Sequence, residues 1–225
     1  MSLSRRDFVI KTVGSACAVA ATGAGLAEPD ATHTTPSAPP DRMPEISPAS
    51  MTPEQKKAAE AFTGGAAAGV FGPFVPLLRS PEVMLRAKAI GEYLHATRTI
   101  PSKLKEFAIL ITARQWTQQY TWDLHYPAAL TEGLDVEVAQ ALAQGSRPDG
   151  MTPEEHIVYE FCAELHRNQS VSDAAYQRIK DRYGEQGAID LITICGYYTF
   201  MSMVLNTART ALPKNAGQPL PAFPH

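Results

Sequence analysis

No block of clustered lysine or arginine occurs in the 225 residues, and the net charge is −3. Nucleic acid is held through clustered basic side chains, so it is not an expected partner. Three cysteines are too few for a small fold stapled by disulfides. No stretch combines period-2 alternation with β-branched enrichment and turn residues, so no sheet is expected. There is no His-Glu-x-x-His run and no paired Cys/His set. His95, His156 and His166 have no partners at metal-ligand spacing, and no metal is expected. Charged residues make up only 19% of the chain against 44% hydrophobic, a balance that supports a buried core rather than disorder. The 18 prolines are many for a helical protein, but many of them fall in an N-terminal tract and at helix starts.

The first residues carry an address. Arg5 and Arg6 precede Phe8 and a mildly apolar stretch from Val9 to Leu26. That stretch is rich in small residues and interrupted by Lys11, too weakly apolar for a membrane span. Gly25 and Ala27 offer a cleavage site before Glu28. The order is that of a twin-arginine export signal over residues 1–27, read by the twin-arginine export machinery. It predicts a periplasmic protein that folds before it crosses. The other reading is a chance arginine pair ahead of an amphipathic helix. Residues 28–50 are rich in Pro, Ser and Thr and read as a flexible linker, leaving residues 51–225 as one domain.

From Met51 onward the punctuation is helical. Thr52-Pro53-Glu54-Gln55 and Thr152-Pro153-Glu154-Glu155 each supply an N-cap, a proline at the first helical position and a capping-box partner. Ser80-Pro81-Glu82 is a third start, and Gly133 and Gly145 stand at helix ends. The expected fold is all-α, with about eight helices near 53–63, 81–96, 102–118, 121–132, 135–144, 153–168, 172–183 and 186–211 and no sheet. Residues 64–78 read as a Gly/Pro loop, either a packed connector or a pocket wall built from Phe71 and Phe74.

The 102–118 helix carries one apolar stripe through Leu104, Phe107, Ala108 and Ile111, and a second through Ile109, Leu110 and Ala113. A helix apolar on both sides is central or lies at an interface. Glu106 falls on the second stripe, where a carboxylate is costly to bury unpaired. Its plain reading is a structural ion pair, for instance with Arg114. On the next helix Trp122, His125 and Ala129 share a face, and Pro127 removes a hydrogen bond to the carbonyl of Asp123. His125 alone reads as a buried, hydrogen-bonded core histidine.

Taken together, LKEFAILITARQWTQQYTWDLHYPAALTEGLD resembles the core motif of the carboxymuconolactone decarboxylase family, which includes the alkyl hydroperoxidase D proteins. GPFVPLLRSPEVMLRAKAIGEYL resembles the helical segment that leads into it. The resemblance covers about residues 65 to 145 and implies an alkyl hydroperoxidase D-like helical bundle that assembles as a homotrimer or homohexamer. In the peroxidase branch the motif is a Glu, a Cys-x-x-Cys pair and a His. Its ends fall on Glu106 and His125, but its cysteine positions fall on Gln118 and Thr121. Cys162 and Cys195 lie outside the motif and read as buried thiols or as one disulfide.

The decarboxylase branch needs neither thiol nor cofactor. It implies decarboxylation of a small carboxylated lactone or keto acid, with His125 as proton donor and Glu106 orienting it. It further implies Trp122 and Tyr120 as pocket walls, beside Phe74 of the Gly/Pro loop, and Arg114 holding a substrate carboxylate, or else a plain surface or interface arginine. The alternatives are an alkyl hydroperoxidase or peroxiredoxin-type antioxidant, disfavoured without the cysteine pair, and a non-catalytic periplasmic protein that binds small acids.

Overall fold

The structure is a computed structural model that describes residues 40–64, 69–212, 217 and 219–222. The expected export signal, and residues 28–39 of the expected linker, lie outside the described residues. Every described secondary-structure element is helical, as the punctuation predicts. The helices are α1 (Pro53–Thr63), α2 (Phe74–Leu77), α3 (Pro81–Ala96), α4 (Ser102–Gln115), α5 (Gln119–Thr131), α6 (Val136–Ala143), α7 (Pro153–Asn168) and α8 (Asp173–Ala208).

The helix starts follow from the caps. Thr52 and Thr152 both close full capping boxes, with Gln55 and Glu155 bonding back to the cap backbone. Inside α8, Gly184 leaves the helical region at φ 72 and ψ 177. Glycine adopts that conformation at little cost, so the chain bends where two separate helices were expected. The expected 102–118 helix stops at Gln115, because Thr117 turns to a positive φ of 45° and redirects the chain into α5. The expected Gly/Pro loop contains the short helix α2. Within the expected linker, residues 40–50 are docked rather than free. The Arg42 amide donates to the carbonyl of Ala208 at 2.7 Å, and Arg79 donates to the carbonyl of Pro44 at 2.8 Å.

Helix α4 is the axis of the bundle. Both of its expected stripes are buried, against α5, α6, α7 and α8. Phe107, Ala108, Leu110 and Ala113 are wholly inaccessible. A second, smaller core joins α1, α2 and α3 to the end of α8 through Ala58, Leu77, Met84, Ala87 and Met201. Helix α8 is long and apolar enough to cross a membrane by length and composition, but half of its most apolar window is buried inside the bundle.

Two buried charges fix α3 to its neighbours. Lys105 of α4 donates to the carbonyls of Leu94, His95 and Thr97 at 2.9, 3.1 and 2.9 Å. These are carbonyls of the last turn of α3 and the residue beyond it, without helical partners and at the negative end of the helix dipole. Asp190 of α8 accepts from the Tyr93 hydroxyl at 2.8 Å and the Thr97 hydroxyl at 3.3 Å. Lys105→Met should therefore destabilise the fold by about 3 kcal/mol, since it leaves buried carbonyls unpaired. The urea unfolding midpoint reads this, and an unchanged midpoint would mean that water replaces the ammonium.

Candidate active site

Glu106 on α4 and His125 on α5 meet across the helix pair. The Glu106 Oε2 lies 2.8 Å from His125 Nδ1, and the two side chains are 13% and 9% exposed. A carboxylate only accepts, so Nδ1 carries the proton and Nε2 is left for a ligand. The pairing answers the cost of Glu106: its charge is met by the imidazole rather than by Arg114. Helix α5 continues unbroken through Pro127.

Both residues line a cavity of about 570 Å3. Its roof comes from Phe62, Phe71 and Phe74, whose rings contact one another at centroid distances of 4.6 to 6.2 Å. Tyr120, Tyr197 and Tyr198 complete the aromatic walls. The Tyr198 ring stands edge-on to the His125 ring at 5.0 Å. Two glycines make room for these phenols. A Cβ on Gly91 would come 2.7 Å from the Tyr197 hydroxyl, and one on Gly72, at φ +55, would come 3.0 Å from Tyr120.

The phenols are held protonated. Burial pushes Tyr197 up to about 12. Burial, and then the Glu106 carboxylate, push Tyr198 higher still. Tyr120 is raised by burial as well. His95, from the last turn of α3, lines the same cavity, and its pKa is lowered by burial and then by the charge of His125. Lys88 is the one lysine or arginine among the described lining residues. It is ion-paired to Glu92 and lies 5.9 Å from the Phe62 ring centre.

The structure brings together His125, Glu106, Tyr120 and Phe74, and it does not bring Arg114 or Trp122 to them. Arg114 lies eight residues beyond Glu106, ~12 Å along the helix and about 80° around it. It is 1% exposed and borders a different cavity, with Tyr159, His166 and Arg167. Trp122 shares a face with His125 but turns into the main core, stacked on Tyr126 at 5.8 Å. His95, Lys88, Tyr197 and Tyr198 are the site residues that sequence reasoning missed. Only the 3–4 spacing of Lys88, Gly91, Glu92 and His95 along α3 hints at a shared face.

The two positions that match the motif's cysteines have a structural task here. Gln118 caps α5, its side-chain oxygen accepting from the Thr121 amide at 3.0 Å, while its amide donates to Asn206 at 2.9 Å. Among the described lining residues of the cavity there is no cysteine.

No family model matches the chain. No curated protein matches it either. Among solved structures, the chain is similar in fold to a variant of the debrominase Bmp8 in complex with 2,3,4-tribromopyrrole. The TM-score is 0.56 at 11% identity, covering 76% of this chain and 91% of that one. The likeness is one of helical fold.

Tyr197 provides a check on the cavity's environment. Its folded pKa is raised, so above about pH 10 the unfolded chain loses protons that the folded chain keeps. Stability should therefore fall as pH rises from 10 through about 12. Tyr197→Phe should flatten that fall in chemical denaturation measured across the window, and an unchanged slope would place the phenol in water.

Proposed function

We propose that this chain is a carboxymuconolactone decarboxylase-like enzyme. On this reading it performs cofactor-independent decarboxylation, or related proton transfer, on a small carboxylated lactone or keto acid. The observation that carries the reading is the 2.8 Å Glu106–His125 pair, set in an aromatic cavity rather than in the core.

The chemistry follows from the lining. A ligand carboxylate would displace Glu92 from Lys88, the role that the resemblance gave to Arg114. Loss of carbon dioxide leaves an electron pair that moves into an extended enolate on the ligand's carbonyl oxygen. Phenols that stay protonated are suited to donate to that oxyanion, and Tyr198 stands beside His125 to do so. His125 takes up a proton at Nε2 from solvent before the reaction and then gives it to carbon, and Glu106 stabilises the imidazolium before that transfer and holds the ring throughout. The apolar roof excludes water and favours loss of the charged carboxylate. The structural neighbour's ligand is a small flat ring, and aromatic walls of this kind suit a flat substrate. The cap formed by Gln118 and Thr121 counts against thiol peroxidase chemistry at this site.

A carbon dioxide release screen on carboxylated lactones and β-keto acids tests the reading. His125→Ala should lower the rate by ~10²–10⁴, the scale of a positioned general acid. Glu106→Gln should cost less, and Lys88→Ala should raise KM more than it lowers kcat. Equal rates in the parent and His125→Ala would remove His125 from the mechanism. Ligand binding without turnover of any such compound would instead favour a small-acid binding protein.

The same proposal includes export as a folded protein to the periplasm and assembly as a homotrimer or homohexamer. Support for assembly comes from Ile189, Ile192 and Met203, large apolar side chains exposed along α8. Replacing Arg5 and Arg6 with lysine should retain the precursor in the cytoplasm, as read by fractionation. Unchanged delivery would refute the targeting argument.

A further inference from the structure

The cavity that holds Glu106 and His125 is larger than its chemistry requires. A ring carbon takes up less room than a water molecule, at about 30 Å3, so a one-ring acid of about ten non-hydrogen atoms occupies at most about 300 Å3. The cavity offers about 570 Å3, within the range of pockets that enclose drug-sized ligands. A one-ring acid would leave close to half of it unfilled.

The lining is graded from its floor outward. Thr121, His125, Tyr198 and Met201 are buried and close the inner end. Phe71 and Leu124 line the same cavity but are 55% and 56% exposed, so they stand where it opens. On α5, Tyr120 and Leu124 are one turn apart and form a row beside Thr121, His125 and Ala128. An apolar shelf thus runs outward from the imidazole. The roof follows the same course, with Phe62 and Phe74 half-buried and Phe71 reaching solvent. Gly72 brings roof and shelf together, since a Cβ there would come 3.0 Å from the Tyr120 ring. Neither surface carries a charge. The roof rings are 4.6 to 6.2 Å apart, the spacing of tilted and edge-on aromatic contacts, and a flat ring set against them extends that array.

We propose that the substrate of this site carries a flat aryl group beyond the lactone or keto acid that reacts. Its acid end lies at Lys88 and His125, and its aryl end lies between the phenylalanine roof and the Tyr120–Leu124 row, reaching Phe71 and Leu124 at the opening. The chemistry assigned to the acid end rests on the decarboxylase reading, whereas the aryl end rests on the volume and grading of the cavity.

The experiment measures binding to the full chain by isothermal titration calorimetry. The probes are naphthylpropanoate, phenylpropanoate and the saturated decalinylpropanoate. None has a carbonyl through which carbon dioxide could be lost. The naphthyl acid should bind about tenfold tighter than the phenyl acid, since the second ring buries further apolar surface. It should bind about threefold tighter than the decalinyl acid, which has the same carbon skeleton but is not flat. Leu124→Ser and Phe71→Ser alter exposed side chains and should each weaken the naphthyl acid about fivefold, with the phenyl acid within about twofold of the parent. Equal affinities of the parent for the naphthyl and phenyl acids would overturn the proposal, a result that needs no variant to fold. Unchanged naphthyl affinity in both variants, with a lower sedimentation coefficient for Leu124→Ser, would give the opening to a second copy of the chain and overturn it too. Comparing naphthoylacetate with acetoacetate for carbon dioxide release separates this proposal from the reading it rests on. Equal kcat/KM for the two would overturn the aryl end and leave the decarboxylase reading standing. Tight naphthyl binding with no turnover would do the reverse.

Discussion

A carboxylate on the most enclosed helix of the bundle must be paired, and the placement of α5 against α4 follows from that need. Glu106 lies on a helix with both apolar stripes buried. Unpaired, its charge would cost several kcal/mol in such surroundings. His125 supplies the partner at 2.8 Å, from the helix that follows the turn at Thr117. The pairing also fixes the imidazole tautomer. One interaction thereby satisfies the core and presents a nitrogen to a cavity.

The other walls of that cavity depend on α3 and α8 keeping their distance. Lys105 and Asp190 set it, by tying the end of α3 to α4 and to α8. Gly91 lets Tyr197 approach α3 without a clash. Phenols held protonated beside a carboxylate–imidazole pair are suited to donate to a developing oxyanion rather than to serve as bases. The charges in the cavity are few and each has an evident partner, which is how a mostly apolar pocket keeps polar groups in fixed orientation.

Much of this was legible in the chain. The capping boxes at Thr52 and Thr152, the break near Gly184 and the two-sided apolar pattern of α4 are local signals, governed by residues within a few positions of one another. The Glu106 and His125 pair could be picked out only through the resemblance, as the two ends of its motif. Arg114 and Trp122 show where such reading stops. Both lie close in sequence to the pair, yet one faces another cavity and the other the core. A helical position gives a direction within a turn, but which neighbour fills that direction depends on helices far along the chain. His95, Lys88, Tyr197 and Tyr198 reach the cavity from α3 and α8, and no motif links them to α5.

The sequence by itself determined that the chain is helical, where most helices begin, and which two polar residues lie where burial makes them costly. These outcomes rest on backbone capping and apolar periodicity, which act over one to four residues. Tertiary structure alone decided that the cation at the cavity is Lys88 and not Arg114. It alone brought the Thr112 hydroxyl of α4 to His166 of α7, 54 residues apart in the chain, at 2.9 Å. Those meetings depend on how α3, α4, α7 and α8 pack, and packing is settled by the summed fit of many side chains, which no single spacing records.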